Sequence, residues 1–175
     1  MTRASVVLGV VLGLGAFGPA AVAHGQPPEP QRLIGNQISG LQQWNSATQK
    51  MTDTATCTFR GSSDGPLVTV DFVTQYAGQR PATPPTVVDM VVTQHPPNED
   101  APEMALSIDG RSLPLNTRLR SRRSVVATMS FDEFVRLATA DAIVERAFDV
   151  DLEFGQGQRR MLRSVAERWS GGIRR

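Results

Sequence analysis

Apolar and polar residues alternate with a period of two through much of the chain from Met51 to Met129. This period places successive side chains on opposite faces of a strand. It predicts strands over residues 51–60, 67–76, 86–94 and 125–129, and two hairpin arms over residues 104–108 and 112–115. Asp109-Gly110 between those arms is a typical hairpin turn. The run TVVDMVVTQ is apolar on both faces, which predicts a central strand.

The period changes at Ser130. Ser130 and Glu133 have the spacing of a helical capping box, and apolar residues follow from Phe131 at i+3, i+4 and i+7. A second amphipathic helix is predicted from about Gln156 to Trp169. Between the helices, Val150, Leu152 and Phe154 alternate with acidic residues, which predicts a half-buried strand. Residues 143–147 fit a short strand, a turn or the end of the first helix.

Strands followed by helices indicate an α+β fold, with a mainly antiparallel sheet covered by two helices in the C-terminal region. A β-sandwich-like core with peripheral helices is the alternative. At 175 residues the chain is long enough for one domain with a real core. We place that domain at residues 51–170 and expect a flexible tail at residues 171–175.

The N-terminus has the parts of a secretory signal peptide over residues 1–23. Arg3 precedes an apolar run, Gly18-Pro19 ends the run, and Ala21-Val22-Ala23 is an A-x-A cleavage site. We therefore expect export to the periplasm or the extracellular space, with no transmembrane segment after cleavage. An uncleaved membrane anchor is the alternative, because the apolar stretch is about the minimum for spanning a bilayer.

Residues 24–50 are interpreted as a proline-rich tether and an entry segment. The prolines of HGQPPEPQ oppose both helix and sheet pairing. Four apolar residues follow with roughly helical spacing, although glycines interrupt them: Leu33, Ile34, Ile38 and Leu41. A short helix or a docking segment is the expectation there.

Charge is balanced after export. Removal of residues 1–23 takes away Arg3 and no acid, which leaves 17 basic and 17 acidic residues. A protein directed at nucleic acid usually carries excess positive charge and aromatic residues for stacking, so a nucleic-acid partner is not expected.

The densest charge lies in the run TRLRSRRS, with Arg118, Arg120, Arg122 and Arg123. These residues are the candidate site for an anion or a partner, because guanidinium groups bind carboxylates and phosphates. Two structural interpretations compete. The arginines could protect an exposed edge strand, or they could pair across adjacent strands with Asp149, Asp151 and Glu153.

Other chemistry has weaker support. Cys57 is the only cysteine, and its strand position predicts a buried thiol rather than a nucleophile paired with His95; His24, at the expected cleavage junction, is the only other histidine. Acids alternating along a straight strand at residues 149–153 are more typical of a solvated face than of a calcium site. Asp71 and Asp89 are the strand carboxylates that could serve as an acid–base pair.

The chain contains no nucleophile elbow, Gly-rich phosphate loop, HExxH or paired CxxC motif. We therefore assign no catalytic, cofactor or metal residue. The expected function is that of an exported, non-enzymatic binding domain for an acidic protein or an anionic envelope component. A hydrolase or transferase that uses sheet carboxylates is the alternative, and the sequence leaves the oligomeric state open.

Overall fold

A computed structural model describes residues 31–61, 65–96 and 104–171. The described chain forms two helices, α1 (Phe131–Thr139) and α2 (Gln156–Trp169). It also forms ten strands: β1 (Gln31–Asn45), β2 (Lys50–Arg60), β3 (Leu67–Ala77), β4 (Val87–His95), β5 (Met104–Ile108), β6 (Arg111–Leu113), β7 (Asn116–Ser121), β8 (Ser124–Ser130), β9 (Ile143–Ala147) and β10 (Val150–Glu153).

The strands form one mixed, mostly antiparallel sheet that curls into a half-barrel. The strand order is β6-β5-β9-β10-β1-β2-β3-β4-β8-β7. Residues 31–34 of β1 pair in parallel with β10, whereas the rest of β1 pairs antiparallel with β2. The predicted α+β class is confirmed, and the described residues form this curled sheet instead of the alternative sandwich. β4 lies between β3 and β8, as its apolar faces predict.

One face of the sheet, here called the inner face, carries the core. Alternate residues of β2, β3, β4 and β8 are buried there, as the period-two pattern predicts. Phe72 of this face lies 5.4 Å from Phe134 of α1, and Phe134 lies 4.9 Å from Trp169 of α2 (ring centroids). Both helices therefore cover the inner face, and the opposite face is called the outer face.

The helix ends are fixed by local hydrogen bonds. The Ser130 hydroxyl accepts from the Glu133 amide at 3.2 Å, and Glu133 Oε2 accepts from the Ser130 amide at 2.8 Å. The predicted capping box is confirmed. At the other end of α1, Arg163 of α2 donates to the carbonyls of Thr139 and Ala140, which ties the two helices together.

The entry segment differs from the prediction. The expected short helix around Leu33–Leu41 is wrong, and the sheet begins at Gln31 rather than near Met51. Gly35 and Gly40 interrupt a helical spacing but fit a strand, and β2 supplies a long antiparallel partner. Tertiary pairing with β2 overrides the weak local pattern here.

Several expectations lie outside the described residues. They concern the signal peptide, the tether from His24 to Pro30, parts of two loops, and residues 172–175. Within the ranges that are described, no helix has the length and apolar character needed to cross a bilayer.

Candidate functional site

The four predicted arginines lie at one end of the sheet. β7, the last strand in the sheet order, holds Arg118 and Arg120, and the turn into β8 holds Arg122 and Arg123. All six residues of β7 and both turn arginines are exposed. None of the four forms a salt bridge with another described residue. We call this group the arginine edge.

The alternative interpretation, in which these arginines pair with the acidic strand, is wrong. β10 stands next to β9 and β1, six places from β7 in the sheet order. Its acids have nearer partners: Asp151 pairs with Arg146 at 2.8 Å and Glu153 pairs with Arg32 at 3.4 Å. Asp151 and Glu153 are thus neutralised by nearby arginines, whereas Asp149 lies in the exposed turn before β10.

A shallow depression on the outer face adjoins the arginine edge. It measures about 490 Å³ and is lined by Val73, Asp89, Val91, Arg118, Leu119, Arg120 and Val126. Val91 and Val126 are opposite each other across β4 and β8, and Arg118 lies opposite Val126 from β7. The depression therefore combines an apolar floor with positive charge on its β7 side.

The two strand carboxylates do not form an acid–base pair in a deep cleft. Asp71 and Asp89 lie on the outer face at diagonal positions of β3 and β4, and both are partly exposed. Asp71 accepts a hydrogen bond from Thr56 of β2, and Asp89 accepts one from Thr128 of β8, each at 2.6 Å. This arrangement is typical of cross-strand polar pairs.

Cys57 and His95 are not brought together. Cys57 is completely buried on the inner face, and burial raises the pKa of its thiol to about 12, with smaller contributions from Glu145 and Asp71. His95 is exposed at the end of β4. It faces the opposite side of the strand from Gln94, which points inward. The prediction of a buried thiol is confirmed.

The structure contains a buried polar network that the sequence pattern did not predict. Asp53 of β2 is completely buried on the inner face. It accepts two hydrogen bonds from Arg168 of α2, one from Gln42 of β1, and a longer one from the Tyr76 hydroxyl. The signal was present in the sequence, because Asp53 has the same parity as Ala55, Cys57 and Phe59. A carboxylate in that register needs a cationic partner.

Glu145 is a second inward-facing acid that escaped notice. It is completely buried in β9, opposite Leu106 of β5 and Leu152 of β10. Neither carboxyl oxygen has a hydrogen-bond partner among the described residues. Desolvation raises the pKa of Glu145 to about 8, so the group is mainly protonated at neutral pH. Its alternation with Val144 and Arg146 could have revealed the position.

The described residues contain no group of three or more His, Cys, Asp or Glu side chains placed to hold a metal ion. The exposed guanidinium groups of the arginine edge are chemically suited to contact an anionic surface. Comparison of the chain with protein-family models, curated proteins and solved structures finds no match.

Proposed function

We propose that this protein is an exported, non-enzymatic binding domain whose arginine edge contacts an acidic, extended segment of a partner protein. One observation carries the proposal: a sheet edge displays four exposed arginines that form no salt bridge within the described part of the chain. Guanidinium groups placed this way are available to carboxylates of a partner.

The edge position favours a peptide over a lipid or glycan surface. β7 pairs with β8 on one side, and no described strand pairs with its other side. Its outward backbone groups can hydrogen-bond an added strand, while side chains at alternate positions select its sequence. Arg118 and Arg120 both line the depression, although the register of β7 shifts between Leu119 and Ser121, so both guanidinium groups can meet acids of such a strand. A lipid surface would use the charge but not the backbone edge.

The adjoining depression adds apolar contact to the charge. Val91 and Val126 are nearly buried on its floor. Leu119 of β7 is 61% exposed and lies opposite inward-facing Val125, so it adds apolar surface on the other side of the same edge strand. An acidic segment with interspersed aliphatic residues therefore fits the surface better than a purely acidic one. Aliphatic contacts would increase the affinity, whereas the arginines would orient the partner and increase the rate of association.

A peptide-binding experiment tests this function. The probe is a ten-residue peptide of alternating Glu and Val, compared with vesicles that contain phosphatidylglycerol. The variant R118Q/R120Q/R122Q/R123Q is expected to bind the peptide at least tenfold more weakly at low salt. The matched control is R60Q/R80Q/R111Q/R160Q, which removes the same charge from four exposed positions elsewhere.

Equal weakening by both variants would mean that only net charge matters, and would overturn the surface assignment. Binding of the vesicles without the peptide would replace the acidic protein partner with an anionic envelope component. Loss confined to the arginine-edge variant, with a salt-dependent affinity, is the result that supports the proposal.

A further inference from the structure

Among the described strands, the second half of β1 has a neighbour on one side only. β10 pairs with β1 over Gln31–Ile34, and beyond that point β2 is the partner among the described strands. The chain at Gly155, before α2, packs against the Gly35 carbonyl and covers the start of this stretch. The remaining residues, Gln37–Asn45, form what we call the open arm of β1.

On the side away from β2, the open arm has backbone hydrogen-bonding groups that no described strand pairs with. In an antiparallel pair, alternate residues direct both backbone groups away from the partner strand. Nine residues of strand extend over roughly 30 Å at the usual rise per residue. Proteins usually protect such an edge with charge, proline, bulges or short length, because an exposed edge is a template for pairing with another chain.

Those protections are missing from the open arm itself. No charged residue and no proline occurs between Arg32 and Lys50, and the one bulge precedes Gln37. Ile38 and Leu41 are 42% and 64% exposed. The other two edges of the described sheet differ: β7 carries arginines, and β6 has three residues.

We propose that two copies of the protein associate through their open arms, which pair antiparallel about a two-fold axis at Leu41. This register places Leu41 opposite Leu41 of the second copy on the outer face. It places Ile38 opposite Trp44 of the second copy on the inner face, an aliphatic–aromatic pair of the kind that stabilises sheets. The apolar residues of the arm thus meet one another.

A second copy suits this edge because the arm is uncharged. A two-fold axis brings each residue near its own equivalent, and like charges in that position would repel. The open arm avoids this repulsion, whereas two copies of β7 would set arginines against arginines. The inference is independent of the proposed function, and the dimer would leave both arginine edges at its outer ends.

Sedimentation velocity of the natively processed protein tests the association. We expect a concentration-dependent dimer, and Leu41→Lys is expected to weaken it at least tenfold because two lysines would face each other. Leu119→Lys is the matched control, since Leu119 is 61% exposed on the other edge. Circular dichroism checks that both variants fold. A monomer at all accessible concentrations, or equal dimerisation by both variants, would overturn the proposal.

Cysteine cross-linking tests the register. The Leu41→Cys variant is expected to form a disulfide-linked dimer under mild oxidation, because the two thiols would face each other across the axis. Leu119→Cys is expected to give little dimer under the same conditions. Cys57 contributes no background, because it is buried in the core. Equal cross-linking of both variants, or no cross-linking at residue 41, would contradict the register.

Discussion

Arg168 of α2 and Asp53 of β2, separated by 115 residues in the chain, form a two-point ion pair across the interface between helix and sheet. Arg168 Nε and Nη2 lie 3.1 and 2.9 Å from the two carboxylate oxygens. Asp53 has no exposure to solvent, whereas Arg168 is partly exposed and reaches Asp53 from the edge of the core. The pair fixes the C-terminal end of α2 over β2.

We expect Arg168→Leu to lower the free energy of unfolding by roughly 3–5 kcal/mol, because it leaves a buried carboxylate without its cation. Urea denaturation measures the change. Arg160→Leu, at an exposed position of the same helix, is the matched control and is expected to change stability by less than about 0.5 kcal/mol. Adding Asp53→Asn to Arg168→Leu should recover part of the loss. Equal effects of the two single variants would show that the ion pair does not stabilise the fold.

Glu145 is expected to make stability fall as pH rises. Its pKa is about 8 in the folded protein, against an ordinary value of 4.5. Between these values the folded state holds a proton that the unfolded state has lost, so unfolding becomes easier with increasing pH. The free energy of unfolding stops falling above the folded pKa, and its total decrease is at most on the order of 5 kcal/mol.

Glu145→Gln is expected to remove this part of the pH dependence and to raise stability relative to the natural chain above pH 8. Chemical denaturation between pH 5 and pH 9 measures both effects. Glu167→Gln alters an exposed acid and should leave the slope unchanged. If the two variants kept the same slope as the natural chain, the buried carboxyl would not be its source.

Cys57 is expected to resist alkylation in the native protein and to react once the protein is denatured. The thiol is fully buried, and its raised pKa leaves little thiolate at neutral pH. Mass spectrometry after iodoacetamide treatment with and without urea measures the difference. The variant Leu119→Cys should be labelled at residue 119 under native conditions. Native labelling of Cys57 at the rate of residue 119 would contradict its placement in the core.

Ser130→Ala is expected to destabilise the protein by about 1 kcal/mol through loss of the N-cap of α1. The backbone and hydroxyl hydrogen bonds from Ser130 also keep the pKa of Glu133 below its ordinary value. Thermal or urea denaturation measures the loss. Ser112→Ala is the control, because Ser112 is exposed on β6 and makes no side-chain hydrogen bond with the described residues. A change no larger than that of Ser112→Ala would mean that the capping box is dispensable.

Local patterns were reliable where one face of an element was both apolar and regular. The alternation around Val68–Phe72, the Asp109-Gly110 turn and the α1 capping box all appear as the sequence indicates. These features depend on neighbours within a few residues. Asp53 and Glu145 follow the same parity, although neither was predicted to face inward, and no local pattern identifies Arg168 as the partner of Asp53.

β1 was expected to be a short helix for a different reason. Leu33 is buried and Trp44 is half-buried, but Ile34, Ile38 and Leu41 are exposed on either face, so no periodic signal marks a strand. Pairing with β2 over Gly35–Asn45 forms it instead. Such an exposed strand is difficult to recognise from sequence, because its hydrogen bonds go to another part of the chain.

From the sequence alone follow the core-facing apolar residues of β2, β3, β4 and β8, the start of both helices, and the burial of Cys57, because side-chain direction follows from the local backbone period. The sequence also located the arginine cluster. Which strands are neighbours follows from the tertiary fold. The order of the described strands separates the arginines from the acids of β10, brings Asp53 to Arg168, and leaves one side of β1 without a described partner strand. Strand order depends on contacts between distant segments, and the local period contains no information about them.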